Sequence, residues 1–119
     1  MNQRGSAVVE FALVLPLVLL MVFAVVEVSV VARTQLEVVN AAREGAREAA
    51  VNPDPAAAVG VVQNSLGVAG ARATVRVSRP HVVGERAAVV VRLPHTLAAP
   101  LFGGITVELQ ARSAMRVER

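Results

Sequence analysis

Residues 11–32 read FALVLPLVLLMVFAVVEVSVVA, a stretch of 22 residues in which Glu27 is the single charged side chain. As an α-helix with a rise of 1.5 Å per residue, this stretch is about 33 Å long, enough to cross a hydrocarbon layer of about 30 Å. A cleaved secretory signal would have a shorter apolar core followed by a small-residue cleavage site. A buried core helix would need more chain around it than a small domain supplies. The stretch therefore predicts a membrane-spanning helix.

Residues 1–5 form a short basic leader, MNQRG, which ends at Gly5. Ser6 follows, and Glu10 is the fifth residue counted from Ser6, directly before Phe11. A charged side chain costs about 2.5–3.5 kcal/mol at the centre of a membrane helix and less near its end, where it reaches the headgroups. Glu10 is therefore either tolerated at the membrane edge or retained because a partner pairs with it.

The leader ending in glycine, the glutamate at the fifth following position and the long apolar helix together resemble the processing site of type IV prepilins. The Glu10–Phe11 pair resembles the Glu-aromatic pair of the Flp branch. Residues 5–50 are similar throughout to TadE-like proteins of tight-adherence (Tad/Flp) pilus systems. The resemblance implies that a prepilin peptidase cleaves between Gly5 and Ser6, and that Glu10 and Phe11 act in recruitment or assembly.

Such cleavage would create a new α-amine at Ser6, near the membrane boundary. The carboxylate of Glu10 on a neighbouring helix could neutralise that amine if the two helices were staggered by about one turn. Since a charge pair in a low dielectric is costly to break, it would select register and partner more than it would add net stability.

The positive-inside count gives no orientation, because Arg4 precedes the apolar stretch and Arg33 follows it. The resemblance implies a single-pass protein of the bacterial cytoplasmic membrane. The short leader and the larger following domain favour an N-terminus in the cytoplasm and a C-terminal domain outside. Incorporation into a pilus stays open. Glu27, near the outer end of the span, is interpreted as an interfacial charge in preference to a lateral contact.

Residues 33–50 predict an amphipathic continuation of the helix, with a thin apolar stripe at spacings of three and four. The stripe consists of Leu36, Val39, Ala42, Ala46 and Ala49. The prolines of NPDP, residues 52–55, end this helix, and Asp54 is expected to cap a second helix over residues 55–66 that ends at Gly67.

From residue 71 the hydrophobic period changes to two, which predicts strands. The strands are ARATVRVS at 71–78, the more uniformly apolar and therefore central AAVVVRL at 87–93, and an alternating stretch at 105–117. The predicted fold class is α+β: a long N-terminal transmembrane helix extends into a small domain with a short second helix and a three-stranded antiparallel sheet. One face of this sheet is expected to pack on the helices, and the other, which bears arginines, is expected to face water. The predicted divisions are a leader (1–5), a transmembrane helix (6–32), a helix extension (33–50) and a small extracytoplasmic α+β domain (51–119).

The connection at residues 94–104, PHTLAAPLFGG, contains the apolar residues Leu97, Leu101 and Phe102. These side chains either pack beneath the sheet as a small satellite core or form an exposed patch that docks a partner subunit. The sequence leaves both interpretations open.

No catalytic, cofactor or metal site is predicted. There is no cysteine, and His81 and His95 are both expected in loops beside prolines, without a set of further ligands. The serines lie in no nucleophile-elbow context, and no glycine-rich phosphate loop is present. No small-molecule substrate is therefore expected. All 12 basic side chains are arginine, scattered along the sequence, and there are three Phe and no Trp or Tyr, so nucleic acid is not expected as a partner either.

The resemblance to TadE-like proteins thus implies a non-enzymatic minor pilin or pseudopilin that takes part in the assembly of Tad/Flp-type pili, which serve adhesion or secretion. Its expected partners are a prepilin peptidase, other pilin-like subunits and the inner-membrane assembly platform. The alternative is a single-pass anchored protein that is not processed and whose extracytoplasmic domain binds an unrelated protein.

Overall fold

The computed structural model describes residues 3–97 and 104–118. In chain order, the elements are helix α1 (Gln3–Val51), helix α2 (Pro55–Leu66), the 3-10 helix η1 (Gly67–Arg72), and strands β1 (Thr74–Ser78), β2 (Arg86–Thr96) and β3 (Thr106–Arg116). The long N-terminal helix, the short second helix and the three-stranded antiparallel sheet confirm the predicted α+β class. The chain divides into two compact units, Met1–Val31 and Ala32–Arg119.

The first unit consists of the N-terminal part of α1, whose apolar side chains are exposed. Leu13 is 73% exposed, and Phe11 and Val25 are similarly uncovered. Pro16 lies inside the helix without ending it. The Ser29 hydroxyl donates a hydrogen bond to the Val25 carbonyl at 2.8 Å, so this polar group is satisfied within the helix. The helix is long and apolar enough to cross a membrane, which makes the unit compatible with a single-pass membrane anchor.

In the second unit, the C-terminal part of α1 buries a stripe of mostly small residues at spacings of three and four. The stripe consists of Val38, Ala41, Ala42, Gly45, Ala46, Ala49 and Ala50. Three alanines of the predicted stripe are in it, but Leu36 is 64% exposed and Val39 only partly buried, so the buried stripe is displaced from the predicted one by part of a turn. The helix presents its smallest side chains to the rest of the domain, and this allows a close backbone approach.

At Gly45, α1 lies close to both α2 and β2. A Cβ atom added there would lie 2.5 Å from Val62 Cγ2 of α2 and 3.2 Å from Val89 Cγ1 of β2. Both distances are shorter than an ordinary carbon–carbon contact of about 3.5–4.0 Å. Glycine is therefore required at this crossing of α1, α2 and β2.

Helix α2 begins and ends as predicted. The Asp54 carboxylate accepts a hydrogen bond from the Ala56 N–H at 3.0 Å, and Pro55 occupies the first helical position, where no N–H is needed. At the other end Gly67 has φ +62°, a left-handed value that favours glycine. Local sequence chemistry thus fixes both ends of this helix.

The sheet order is β1-β2-β3, with both pairs antiparallel, so β2 is central as predicted. Alternate residues of β2 are buried: Ala87, Val89, Val91 and Leu93. The register places Val77 opposite Val89, and Leu109 opposite Leu93. These pairs define an inner face, whose side chains form the core with α1 and α2.

The second strand extends beyond its predicted end at residue 93 and includes Pro94, His95 and Thr96. Its pairing with β1 ends at Thr74 opposite Arg92, so from Leu93 onward β2 has β3 as its only neighbour among the described strands. Proline is tolerated there because β2 is locally an edge strand. His95 is therefore in a strand, and the prediction that it lies in a loop was wrong.

The other sheet boundaries also differ from the predicted ones. Residues 71 and 72 belong to η1, so β1 begins at Thr74. On the inner face of β3, Leu109 and Ala111 are buried, whereas Val107 and Met115 are each more than one-third exposed.

The two connections between strands are described to different extents. The first, residues 79–85, is the predicted turn, with Gly84 at φ +96°. In the second, Leu97 is partly buried and its N–H donates to the Ile105 carbonyl at 2.7 Å. Leu101 and Phe102 lie outside the described residues, so the choice between core and docking patch stays a prediction.

Candidate processing and assembly site

The residues that the sequence singled out near the N-terminus all lie in the first turns of α1. Gly5, Ser6, Glu10 and Phe11 are helical, and all four are exposed. The helix starts here without an acidic residue in its first turn. The segment therefore presents its side chains to whatever surrounds the helix.

The fold of this segment gives no reason for glycine at position 5. Gly5 has helical backbone angles, and a Cβ atom added to it would meet no atom within 4 Å. Glycine also lowers helix stability by about 1 kcal/mol relative to alanine. This contrasts with Gly45, where packing requires glycine, because no contact among the described residues requires glycine at position 5.

Glu10 lies four residues after Ser6, so both side chains are on the same side of the helix, one turn apart. The Glu10 carboxylate makes no hydrogen bond or ion pair with any of the described residues. Phe11 is the next residue around the helix and is also exposed. The site thus offers an unpaired carboxylate and an aromatic ring at the beginning of an apolar helix.

Glu27, the second carboxylate of the apolar stretch, is less exposed than its neighbours, and it too pairs with none of the described residues. Within residues 3–97 and 104–118, no three His, Asp or Glu side chains come close enough to hold a metal ion. His81 is exposed in the first turn, and His95 is partly buried near the end of β2.

The sheet of the second unit carries the arginine-bearing face that the alternation of its strands predicts. Arginines far apart in sequence are brought to one face of the sheet by the strand register, which places Arg76 and Arg112 on either side of Val90. The alternation of each strand was visible in the sequence, but the strand order and register were needed to align the arginines.

The family model of TadE-like proteins matches residues 5–47 of the chain, that is, 43 of its 119 residues. No curated protein and no solved structure matches the chain. The matched segment contains Gly5, Ser6, Glu10 and Phe11, and it continues through the apolar helix into the part of α1 that packs on the sheet. The predicted resemblance is confirmed: over residues 5–47, this chain matches the TadE-like family of the Tad pilus system.

Proposed function

We propose that this chain is a minor pilin or pseudopilin that takes part in assembling Tad/Flp-type pili and has no enzymatic activity. The observation that carries the proposal is the geometry of the N-terminal site. Glu10, exposed and unpaired among the described residues, lies one helical turn after the Gly5–Ser6 bond, at the beginning of a helix long enough to cross a membrane. The family match over residues 5–47 supports the same assignment.

The first step in this proposal is hydrolysis of the Gly5–Ser6 peptide bond by a prepilin peptidase. Hydrolysis leaves a carboxylate on Gly5 and a new amine on Ser6, and it removes the leader, residues 1–5. The absence of a side chain at Gly5 exposes the backbone carbonyl to a peptidase active site. A large side chain at this position would block that approach.

The second step is pairing between subunits. The new Ser6 amine carries a positive charge, and the Glu10 carboxylate of an adjacent subunit supplies the opposite charge. In a medium of low dielectric, an unpaired charge of either sign is costly, so the pair forms only in the register that brings the two groups together. Phe11 contributes an exposed aromatic contact on the same helix.

In this proposal, residues 6–32 span the bacterial cytoplasmic membrane with the N-terminus in the cytoplasm. Residues 33–50 extend the helix, and residues 51–119 form the extracytoplasmic domain. Neighbouring pilin-like subunits and the inner-membrane assembly platform are the partners, and the loop at 94–104 with Leu97, Leu101 and Phe102 is a candidate docking segment. Adhesion and secretion are the activities that such pili serve.

Processing is tested by intact-mass measurement of the chain purified from cells with and without prepilin peptidase. We expect a product that starts at Ser6 only when the peptidase is present, and we expect Gly5→Leu to remain full length. Gly60→Leu, a substitution at a distant helical glycine, serves as the matched control and should be processed. A wild-type chain that retains Met1 in peptidase-containing cells would contradict the proposal and support the unprocessed, membrane-anchored alternative.

Pairing is tested by comparing Glu10→Val with Glu27→Val, since both substitutions remove one carboxylate from the same apolar helix. We expect both variants to insert into the membrane, because removing a charge lowers the cost of insertion. Glu10→Val should be strongly depleted from sheared pili, whereas Glu27→Val should be depleted less. Normal incorporation of the Glu10 variant would show that the pairing step is wrong even if processing occurs.

A further inference from the structure

The outer face of the sheet, opposite the helices, carries a concentration of positive charge. Since strand residues alternate between faces, the register assigns five arginines to the outer face: Arg76, Arg86, Arg92, Arg112 and Arg116. Among the described strand residues, Glu108 is the one acidic side chain on that face. Five arginines less one glutamate give a formal charge of +4, against +3 for the whole chain.

These arginines repel one another, and their arrangement does not stabilise the sheet. Arg86 and Arg116 are directly opposite across β2 and β3, and like charges at paired positions destabilise a sheet. Arg76 and Arg112 flank Val90 from the two outer strands, which places their Cα atoms about 10 Å apart at an ordinary strand spacing. An anionic partner over this face would relieve the repulsion.

The single ion pair between described residues of the face leaves most of this charge unneutralised. Arg92 Nε lies 3.6 Å from Glu108 Oε1, beyond hydrogen-bond distance, and this nitrogen has no hydrogen-bond partner among the described residues. The side chains of Arg76 and Arg112 are exposed and pair with none of the described residues. Their guanidinium groups are therefore available to carboxylates from another molecule.

The centre of the face favours a protein partner over a lipid surface. Ala88 and Val90, on the central strand, are partly buried between the outer strands, and Ala114 lies opposite Ala88 on β3. A small apolar centre with arginines around it is typical of protein–protein interfaces, in which arginine is enriched. Binding of lipid headgroups would require the positive charges but not the apolar centre.

We propose that this outer face, called here the arginine face, docks a protein surface rich in Asp and Glu side chains. Carboxylates of the partner would pair with Arg76 and Arg112, while its apolar atoms would cover Val90. This inference goes beyond the assembly role proposed above, which concerns the N-terminal helix. The arginine face lies entirely within the second unit.

The test uses the full chain in nanodiscs of zwitterionic phosphatidylcholine, with poly-L-glutamate as the carboxylate probe. We compare the double variant Arg76→Gln/Arg112→Gln with Arg43→Gln/Arg47→Gln. The second pair lies exposed on α1 and changes the net charge by the same amount. We expect binding to weaken about fivefold in the first variant and to change by less than about twofold in the second. Arg76→Lys/Arg112→Lys keeps the charges and should bind within about threefold of the wild type.

Equal weakening by both Gln pairs would show that only net charge matters, and it would overturn the proposal. The proposal also fails if phosphatidylglycerol vesicles, but not poly-L-glutamate, bind in a manner that depends on Arg76 and Arg112, since the partner would then be a membrane. Hydrogen exchange of the β2 amides checks that each variant is folded. Should the Gln variant unfold, loss of binding in a folded Lys variant would overturn the proposal. Because residues 1–10 are not involved, a failure of processing at Gly5 leaves this result unaffected.

Discussion

The two parts of helix α1 have the same backbone conformation but opposite surface chemistry. In the first unit, large apolar side chains such as Leu13 and Leu19 are exposed, and none of the described helix residues in that unit is buried. In the second unit, the buried residues are Val38, glycine and alanines, while charged residues such as Arg43 and Glu44 are exposed. The comparison shows one helix adapted to two kinds of surroundings.

The difference is compatible with a membrane anchor in the first unit and a packed domain in the second. Lipid tails accept large apolar side chains without needing a shaped surface, so the first unit can be rich in Leu and Val. A protein interior requires close packing, and small side chains bring the helix backbone close to a sheet. Apolar residues therefore signal a membrane when they are large and continuous, and a packed interface when they are small and spaced by three or four.

The largest expected effect comes from making the same substitution in each unit. Leu93→Ala, at a side chain only 2% exposed, should lower the free energy of unfolding of the sheet by about 3 kcal/mol, because it leaves a cavity in the core. Leu19→Ala, at a side chain 59% exposed, should change that free energy by less than about 0.5 kcal/mol. Denaturant unfolding of the full chain in nanodiscs, followed by hydrogen exchange of the β2 amides, measures both. Equal losses would show that the two units are not energetically separate.

The second test compares two helical glycines of the packed unit. In Gly45→Ala the new methyl group would lie 2.5 Å from the short, stiff side chain of Val62, so overpacking of about 1–3 kcal/mol outweighs a gain in helix propensity of about 1 kcal/mol. Gly60→Ala adds its methyl group where no atom lies within 4 Å, so the sheet and α2 should be stabilised by about 0.5–1 kcal/mol. Thermal unfolding monitored by circular dichroism should give shifts of opposite sign. A stabilised Gly45 variant would refute the close crossing of the helices.

A smaller effect is expected at the start of α2. Asp54→Ala removes the acceptor for the Ala56 N–H and should lower the free energy of unfolding by about 1 kcal/mol. Asp54→Asn keeps an oxygen at the same position and should remain close to the wild type. The same thermal measurement separates them, and an Asn variant as unstable as the Ala variant would show that charge, and not capping, matters.

The smallest effect is expected at the beginning of the packed part of α1. Arg33 Nε lies 3.5 Å from Glu37 Oε1, and the two side chains are 84% and 51% exposed, so solvent screens the pair. Arg33→Ala should increase hydrogen exchange locally by an amount equivalent to about 0.3–0.5 kcal/mol, and high salt should abolish the difference. Arg43→Ala, at a residue that pairs with none of the described side chains, is the control and should show no dependence on salt.

Features that depend on a few neighbouring residues were predictable from the sequence. Asp54 and Gly67 fix the ends of α2 through one hydrogen bond and one left-handed backbone angle. The uniform apolar character of β2 identified it as the central strand. In the candidate site, Gly5, Ser6 and Glu10 were predicted from the basic leader, their spacing and the apolar stretch that follows, and the helical structure adds that the last two share one side of α1.

Features that depend on contacts between distant segments were not predictable. The choice between Leu36 and Val38 as the buried residue was set by the direction from which the sheet approaches α1. The strand conformation of Pro94 and His95 depends on where the pairing of β1 ends, in an earlier part of the sequence. No local pattern contains that information.

The sequence by itself determined that the N-terminal helix is apolar enough for a membrane, where the second helix begins and ends, and which residues mark the candidate processing site. Each of these depends on composition or on interactions within a few residues. Only the tertiary structure decided which side of α1 is buried, how far β2 extends and that Arg76 and Arg112 lie on either side of the same residue, Val90. The physical reason is that burial and charge clustering are set by strand order and register, which bring together side chains that are far apart along the chain.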